Sequence, residues 1–206
     1  MWRAILIFVN MKNIVFDLGR VVFAQNPNKS SEEFKRFFSY VAQSPMPQFW
    51  VDYDMGVSDL DKVVSDLSAY RGVEEEYSRS MILASITRQE TILPTKELIH
   101  DLKQAGYKLY VLSNMSRDFI EYLRQQPVYE YFDGEVISCE EGVVKPMPQI
   151  YDILVERYDL DVNETMFIDD RIENVEVAEQ RGITPFHFDR NDAESSCARL
   201  REMLLG

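Results

Sequence analysis

The chain has 206 residues, 46% of them hydrophobic, which suits one core domain with room for an inserted subdomain. Its formal net charge of −13 argues against nucleic acid and anionic lipid as partners, because a polyanion would meet net repulsion. The two cysteines, Cys139 and Cys197, have neither a CxxC spacing nor nearby histidines, so no disulfide framework or zinc site is predicted and a cytoplasmic location is expected.

Residues 1–10 are expected to form an N-terminal extension. They hold a short apolar run, 4–9, which is far below the roughly 20 apolar residues of a membrane-spanning helix. A signal peptide also needs a small-residue cleavage site, which this stretch lacks. Met11 resembles a natural start, so the extension is interpreted as an upstream start or an added strand.

Short apolar runs bounded by turn or charged residues predict buried strands at 13–16, 109–112, 135–138 and 165–168. Helical patterns separate them at 95–105, 117–125 and 149–158. Strands that alternate with helices in this way predict the α/β class, with a parallel sheet covered by helices on both faces.

The stretch 26–90 breaks the alternation, since only helical periodicity is found there. Helices are expected at 31–38 and 58–67, each opening with a capping-type residue. The aromatic stripe of the first helix is expected to be a packing core rather than a ligand site. The predicted organisation is therefore an α/β core of 11–25 and 91–206 with an all-helical insertion, 26–90.

Polar side chains follow the predicted strands, and ligands of open α/β sheets bind outside the carboxyl ends of the strands. These residues are Asp17, Ser113, Asn114, Lys145, Asp169 and Asp170. Each has an ordinary interpretation taken alone, such as a turn, a helix cap or a solvated charge. Together they would bring three carboxylates to one edge, where mutual repulsion is costly unless a cation is present.

Mg²⁺ is the expected cation, because it takes oxygen ligands and one or two carboxylates alongside a substrate phosphate. Asp17, Asp170 and the Gly19 carbonyl are the predicted metal ligands. Ser113 and Lys145 would hold the phosphoryl group, while Asp17 would attack phosphorus to give an aspartyl phosphate. Asn174 follows Asp170 by four residues, so both are expected on one side of the next helix's first turn.

Four ordered motifs resemble those of the haloacid dehalogenase superfamily: Phe-Asp-Leu-Gly-Arg-Val-Val, Leu-Ser-Asn, Val-Lys-Pro and Phe-Ile-Asp-Asp-Arg-Ile-Glu-Asn. The helical insertion after the first motif is similar to the cap of the subfamily that includes sugar-phosphate phosphatases. The resemblance implies a Rossmann-like core, a cap that closes over substrate, and a small phosphorylated metabolite as substrate. It also implies phosphate contacts for Gly19, Ser113, Asn114 and Lys145, with Asp169 and Asn174 in support.

Gly19 departs from the family pattern, which usually has there a second aspartate that protonates the leaving group and then activates water. General acid–base catalysis contributes about 10²–10⁴-fold, so its loss would slow turnover while leaving phosphate binding intact. A cap residue, Asp169 or a weakly basic leaving group could compensate. The anomeric oxygen of a glycosyl phosphate leaves more readily than an ordinary alkoxide, so it has the least need of a general acid. This favours a sugar phosphate as substrate.

Two further hypotheses stay open beside a Mg²⁺-dependent phosphatase. One is a non-hydrolytic phosphate-binding or regulatory protein, which Gly19 favours. The other is a metal-independent 2-haloacid dehalogenase, which Arg20 suggests but the Asp169–Asp170 pair argues against. A phosphorelay receiver is excluded, because there the acidic pair precedes the acceptor aspartate. The expected assembly is a monomer or homodimer.

Overall fold

The computed structural model describes residues 11–26, 29–43 and 45–206, so the predicted extension at 1–10 lies outside the described residues. The strands are β1 Asn13–Phe16, β2 Phe23–Gln25, β3 Gln89–Thr91, β4 Lys108–Ser113, β5 Gly134–Ile137, β6 Thr165–Asp169 and β7 Thr184–His187. Five of them form a parallel sheet in the order β5-β4-β1-β6-β7. This confirms the predicted α/β class and places β1 at the centre of the sheet.

Helices follow most of these strands. Their bounds are α1 Glu32–Phe37, α2 Gln48–Asp54, α3 Leu60–Arg71, α4 Glu75–Thr87, α5 Leu93–Gln104, α6 Arg117–Leu123, α7 Ser138–Glu141, α8 Pro148–Tyr158, α9 Ile172–Gln180 and α10 Ala193–Leu205. The predicted strands and helices of the core are all present, with ends displaced by one or two residues. None of the described helices combines the length and apolar character needed to cross a bilayer.

The central strand buries both of its faces, which explains why its sequence is a continuous apolar run. Ile14 joins a cluster that contains Leu98 of α5 and Leu200 of α10, whereas Val15 joins the opposite cluster with Ile150 of α8. Successive side chains of a strand point to opposite faces, so helices are needed on both sides. Burying each such side chain contributes about 1.5–3 kcal/mol.

The insertion consists of α1 to α4 and the 3₁₀ turn Ser39–Ala42. The Ser31 side chain caps α1 by accepting from the Phe34 N–H at 3.1 Å, as expected. The cap of α3 is Asp59 rather than the expected Ser58; its carboxylate accepts from the Lys62 N–H at 2.9 Å. The helix ends at Gly72, which adopts the left-handed conformation that favours glycine.

The aromatic stripe of α1 packs inside this helical insertion, as predicted. Phe34, Phe37 and Phe38 belong to one apolar cluster, and Trp50 of α2 joins it. The same cluster reaches Phe119 of α6, whose ring centroid lies 6.3 Å from that of Trp50. The aromatic residues thus form the interior of the insertion and part of its contact with the core.

Three short strands are additional to the sequence prediction. β2 and β3 pair antiparallel where the chain enters and leaves the helical insertion, with Ala24 opposite Glu90. β7 is an edge strand that contains Pro185 and has half-exposed residues at its start. Their sequences lack the long apolar run that marks a strand buried on both faces. The division into core and cap at 25/26 and 90/91 stays a prediction.

Candidate active site

The sheet brings the predicted residues to one edge through its register. Phe16 pairs with Val111 of β4 on one side and with Ile168 of β6 on the other. Asp17 therefore leaves β1 between the ends of those strands, and its N–H continues the ladder to the Ile168 carbonyl at 2.9 Å. β1 and β6 flank the point where the strand order reverses, which is where open α/β sheets bind ligands.

Lys145 is the central cation of this edge. Its ammonium donates to Asp17 Oδ1 at 2.7 Å, to Asp169 Oδ2 at 2.7 Å and to the Leu112 carbonyl at 2.8 Å. Burial lowers the pKa of Lys145, but the two carboxylates reverse this and the net pKa is raised. The side chain is thus a buried, fully bonded ammonium, and a solvated loop lysine is ruled out.

Ser113 and Lys145 converge on one oxygen of Asp17. The Ser113 hydroxyl donates to Oδ1 at 2.9 Å, the same atom that accepts from Lys145. Oδ2 lies on the side of Gly19, where an added Cβ would stand 3.9 Å away. Two donors on one oxygen fix the rotation of the carboxylate, which orients its other oxygen.

Asn114 holds the lysine loop by its main chain. Its Nδ2 donates to the Lys145 carbonyl at 2.8 Å, and its Oδ1 accepts from the Lys145 N–H at 2.7 Å. This pair of bonds fixes the backbone from which the ammonium extends. A direct phosphate contact of Asn114 stays a prediction, whereas its contact with Lys145 is a structural fact.

Asn174 bonds a different aspartate from the expected one. Its Nδ2 lies 3.0 Å from both carboxylate oxygens of Asp169. The expectation that Asn174 and Asp170 share a helical turn is wrong, because α9 begins only at Ile172 and Asp170 lies before it. The N–H of Arg171 also donates to Asp169 Oδ1 at 2.8 Å, so Asp169 is surrounded by protein donors.

The carboxylates of Asp17, Asp169 and Asp170 offer oxygens that all lie within 4.8 Å of one another. Burial, and then the charge of Asp17, raise the pKa of Asp170. Burial likewise raises the pKa of Asp169 to about 7, although Lys145 opposes this. Groups that resist ionisation in this way gain from a divalent cation, so the donor set fits Mg²⁺.

Arginines lie on the outer side of this cluster, and only Arg20 among them was singled out from the sequence. Arg190 contacts Asp170 Oδ2 at 3.1 Å. Arg20, three residues after Asp17, has a φ of 61°, an uncommon conformation for a residue with a Cβ. Burial lowers the pKa of Arg20, and repulsion from Arg190 adds to this effect. The edge therefore carries positive charge around a compact acidic centre.

Asp54, at the end of α2, is the residue that sequence reasoning missed. It lies in the helical insertion, yet its side chain is buried and senses the charge of Asp17. Burial, together with Asp17, raises its pKa to about 7, while a hydrogen bond from the Ser116 N–H opposes this rise. The only local signal is the Asp-x-Gly ending of the helix, which by itself predicts just a helix stop.

The fold and this edge together define a Rossmann-like α/β enzyme with an aspartate, a serine and a lysine set around a metal-type carboxylate cluster. The chain belongs to the haloacid dehalogenase-like hydrolase family, whose model matches residues 11–182. It is therefore a hydrolase.

Curated relatives of similar length carry phosphatase names. The sesquiterpene phosphatase astK of Aspergillus oryzae is 26% identical over 94% of this chain and 96% of its own length. The D-ribitol-5-phosphate phosphatase of Bacteroides thetaiotaomicron is 24% identical over 85% of this chain and 91% of its own.

Among solved structures, a HAD family enzyme from Bacteroides thetaiotaomicron, in complex with magnesium and inorganic phosphate, shares the fold. Its TM-score is 0.67 and its identity 21%, over 87% of this chain and 95% of that chain.

Proposed function

We propose that the protein is a Mg²⁺-dependent phosphatase that hydrolyses a small phosphorylated metabolite through an aspartyl phosphate on Asp17. One observation carries the proposal: Asp17 Oδ1 accepts from both Ser113 and Lys145 while its carboxylate lies within 4.8 Å of those of Asp169 and Asp170. This arrangement orients a nucleophilic oxygen and supplies donors for the charge that develops on a phosphoryl group.

The residues divide the work between them. Asp17 and Asp170, with the Gly19 carbonyl, would hold Mg²⁺, which when bound neutralises the negative charge of phosphate and carboxylates. Lys145 keeps its positive charge because two carboxylates face it, so its charge would offset that of a bound phosphoryl group, and a direct bond to a phosphoryl oxygen would replace one of its three present bonds. Asp169 accepts from Lys145, and Asn174 donates to Asp169, so the two residues position the ammonium.

The substrate class follows from the leaving group and from the relatives. A sugar phosphate fits the absence of an acidic side chain at Gly19, because its anomeric oxygen leaves readily. One relative is named for an alditol phosphate. A second is named for a sesquiterpene substrate, so prenyl phosphates belong in the same trial. The buried free thiols Cys139 and Cys197 support a cytoplasmic location, and the assembly is proposed as a monomer or homodimer.

The test measures inorganic phosphate released from sugar, alditol and prenyl phosphates with Mg²⁺ and with EDTA. Wild type should release phosphate only with the metal, and Asp17→Asn should release none. Asp152→Asn is the matched control, because it removes the same charge from a residue that pairs with Arg181 on the surface. No turnover by wild type on any ester of the panel would refute the proposal.

A non-hydrolytic phosphate-binding protein is the second candidate, because Gly19 supplies no side chain for acid–base catalysis. It would be stabilised by beryllofluoride with Mg²⁺ and yet turn over nothing. Chloride release from 2-chloropropionate without metal would instead indicate a dehalogenase.

A further inference from the structure

The end of α2 is attached to the core directly beside the strand that carries Ser113. The Tyr53 hydroxyl donates to Asp118 Oδ2 at 2.7 Å. The Ser138 hydroxyl donates to the Asp54 carbonyl and accepts from the Met115 N–H at 2.9 Å. Ser138 thus connects the main chain of Asp54 to the loop that follows β4.

Gly56 brings this segment against the core more closely than any other residue type would allow. Its φ is +76°, and an added Cβ would lie 2.4 Å from the Cys139 carbonyl oxygen. Asp54 is therefore held on both sides, by Tyr53 before it and by Gly56 after it. These contacts fix the main chain from which the Asp54 carboxyl group extends.

The Asp54 carboxyl is directed to the interior rather than to solvent. Its residue is only 9% exposed, and the N–H of Ser116, three residues beyond Ser113, donates to it. The negative charge of Asp17 is among the causes that raise the pKa of Asp54. The bonds through Ser138 to Met115 place the main chain of Asp54 beside the loop that follows Ser113, the residue whose hydroxyl donates to Asp17.

We propose that Asp54 is the acid–base catalyst of this hydrolase and supplies from the cap the carboxyl group that is absent at Gly19. The inference rests on the proposed phosphatase function and adds a residue that the family motifs do not contain. Its burial explains why a proton would be available near neutral pH, the range in which an acid–base group works best.

Hydrolysis proceeds in two steps. As an Asp17 oxygen bonds to phosphorus, the bond from phosphorus to the leaving oxygen breaks, and that oxygen takes the proton of Asp54. Water then attacks the aspartyl phosphate at phosphorus and gives a proton to the Asp54 carboxylate. The bond from phosphorus to Asp17 breaks, its electron pair returns to the Asp17 carboxylate, and inorganic phosphate leaves.

Other titratable and charged groups face Asp54 from the elements around it. They are Asp17, Arg171, Tyr40, Tyr53 and Cys139. Burial raises the pKa of both tyrosines and raises that of Cys139 to about 11, so these three stay neutral through the physiological range. A difference between the pH profiles of wild type and an Asp54 variant in that range therefore reports on Asp54.

The test compares Asp54→Asn with wild type on an alkyl phosphate and on 4-nitrophenyl phosphate. The alkyl ester is D-ribitol 5-phosphate or whichever alkyl phosphate wild type hydrolyses fastest. Turnover of the alkyl ester should fall by about 10²–10⁴-fold, since its leaving oxygen needs a proton. The nitrophenolate leaves without one, so the variant should give a burst of about one equivalent and then stall as aspartyl phosphate.

Asp52→Asn is the matched control, because Asp52 lies on the same helix and its carboxylate accepts from Gln48 at the surface. It should behave as wild type. The inference about Asp54 would be overturned if Asp54→Asn lost the same activity on both esters, showed no burst and kept the wild-type pH profile. In that case turnover by wild type would still support the phosphatase function. Inactive wild type would instead refute the phosphatase itself.

A second variant covers the case in which Asp54→Asn does not fold. Asp54→Glu keeps a carboxyl group, so it should retain leaving-group-dependent turnover with a displaced basic limb of the pH profile. A Glu variant with the wild-type profile and equal losses on both esters would also overturn the inference.

Discussion

Replacing Lys145 by methionine tests whether this ammonium holds the site together. The substitution keeps an unbranched apolar side chain, one atom shorter, but removes all three of the donors of Lys145. Asp17 and Asp169 are then left as buried carboxylates without their shared cation. Removing one partner of a buried ion pair costs about 3–5 kcal/mol, because the charge that remains is uncompensated.

For a chain of this size that cost lowers the melting temperature by roughly 6–20 °C, at 2–4 °C per kcal/mol. The assay is thermal unfolding in EDTA, so that no metal replaces the lost charge. Lys103→Met is the matched control. Its ammonium pairs with Asp133 at 2.6 Å but is partly exposed, and such pairs contribute about 0–1 kcal/mol.

The loss should shrink in acid, because protonation of Asp169, whose pKa burial raises to about 7, removes one of the two uncompensated charges. Mg²⁺ should also restore part of the stability at neutral pH. If Lys145→Met melted within about 2 °C of wild type in EDTA, the buried pair would not be holding the two carboxylates in place.

Gly56→Ala and Gly72→Ala both place a Cβ at positive φ, which costs about 1–2 kcal/mol, but only the first meets the Cys139 carbonyl. Urea unfolding should show a larger loss for Gly56→Ala by about 1–3 kcal/mol, and equal losses would contradict the close contact. A further prediction concerns three acidic residues whose pKa is raised in the folded protein: Asp54, Asp169 and Asp170. The folded state then binds more protons than the unfolded state above their ordinary pKa of 3.8, so metal-free stability should fall as pH rises from about 5 to 8. Mg²⁺ should stabilise the folded protein most at the alkaline end of this range. Melting temperatures in EDTA that rise with pH would contradict the expected fall in stability.

The sequence predicted the central strands because a strand buried on both faces needs an unbroken apolar run, as in β1 and β6. It predicted which residues meet at the sheet edge, since strand ends are aligned by the parallel register. It did not predict which donor reaches which oxygen. Lys145 bonds Asp169 as well as Asp17, and Asn174 bonds Asp169, because the loop geometry before α9 decides those pairs.

Asp54 was beyond sequence reasoning for a different reason. Its burial depends on how the insertion lies against the core, through contacts such as Tyr53 with Asp118 that join residues 65 positions apart. No local pattern encodes a contact of that range. A lone aspartate at a helix end is usually solvated, so nothing in the local sequence marks Asp54 as buried.

The antiparallel pairing of β2 with β3 has a consequence for how this chain can change. Residues 26–88 connect the paired residues Gln25 and Gln89, which lie about 5 Å apart. For β2 and β3 the whole segment therefore takes the place of a hairpin turn. Lengthening a four-residue turn to about 64 residues is four doublings and costs only roughly 2.4 kcal/mol of closure entropy. Another sequence of any length that folds by itself could be grafted at the same two strands. Such an exchange would leave Asp17, Ser113 and Lys145 on the sheet edge unaltered, but it would remove Asp54, so the new module would have to bring its own acid–base group.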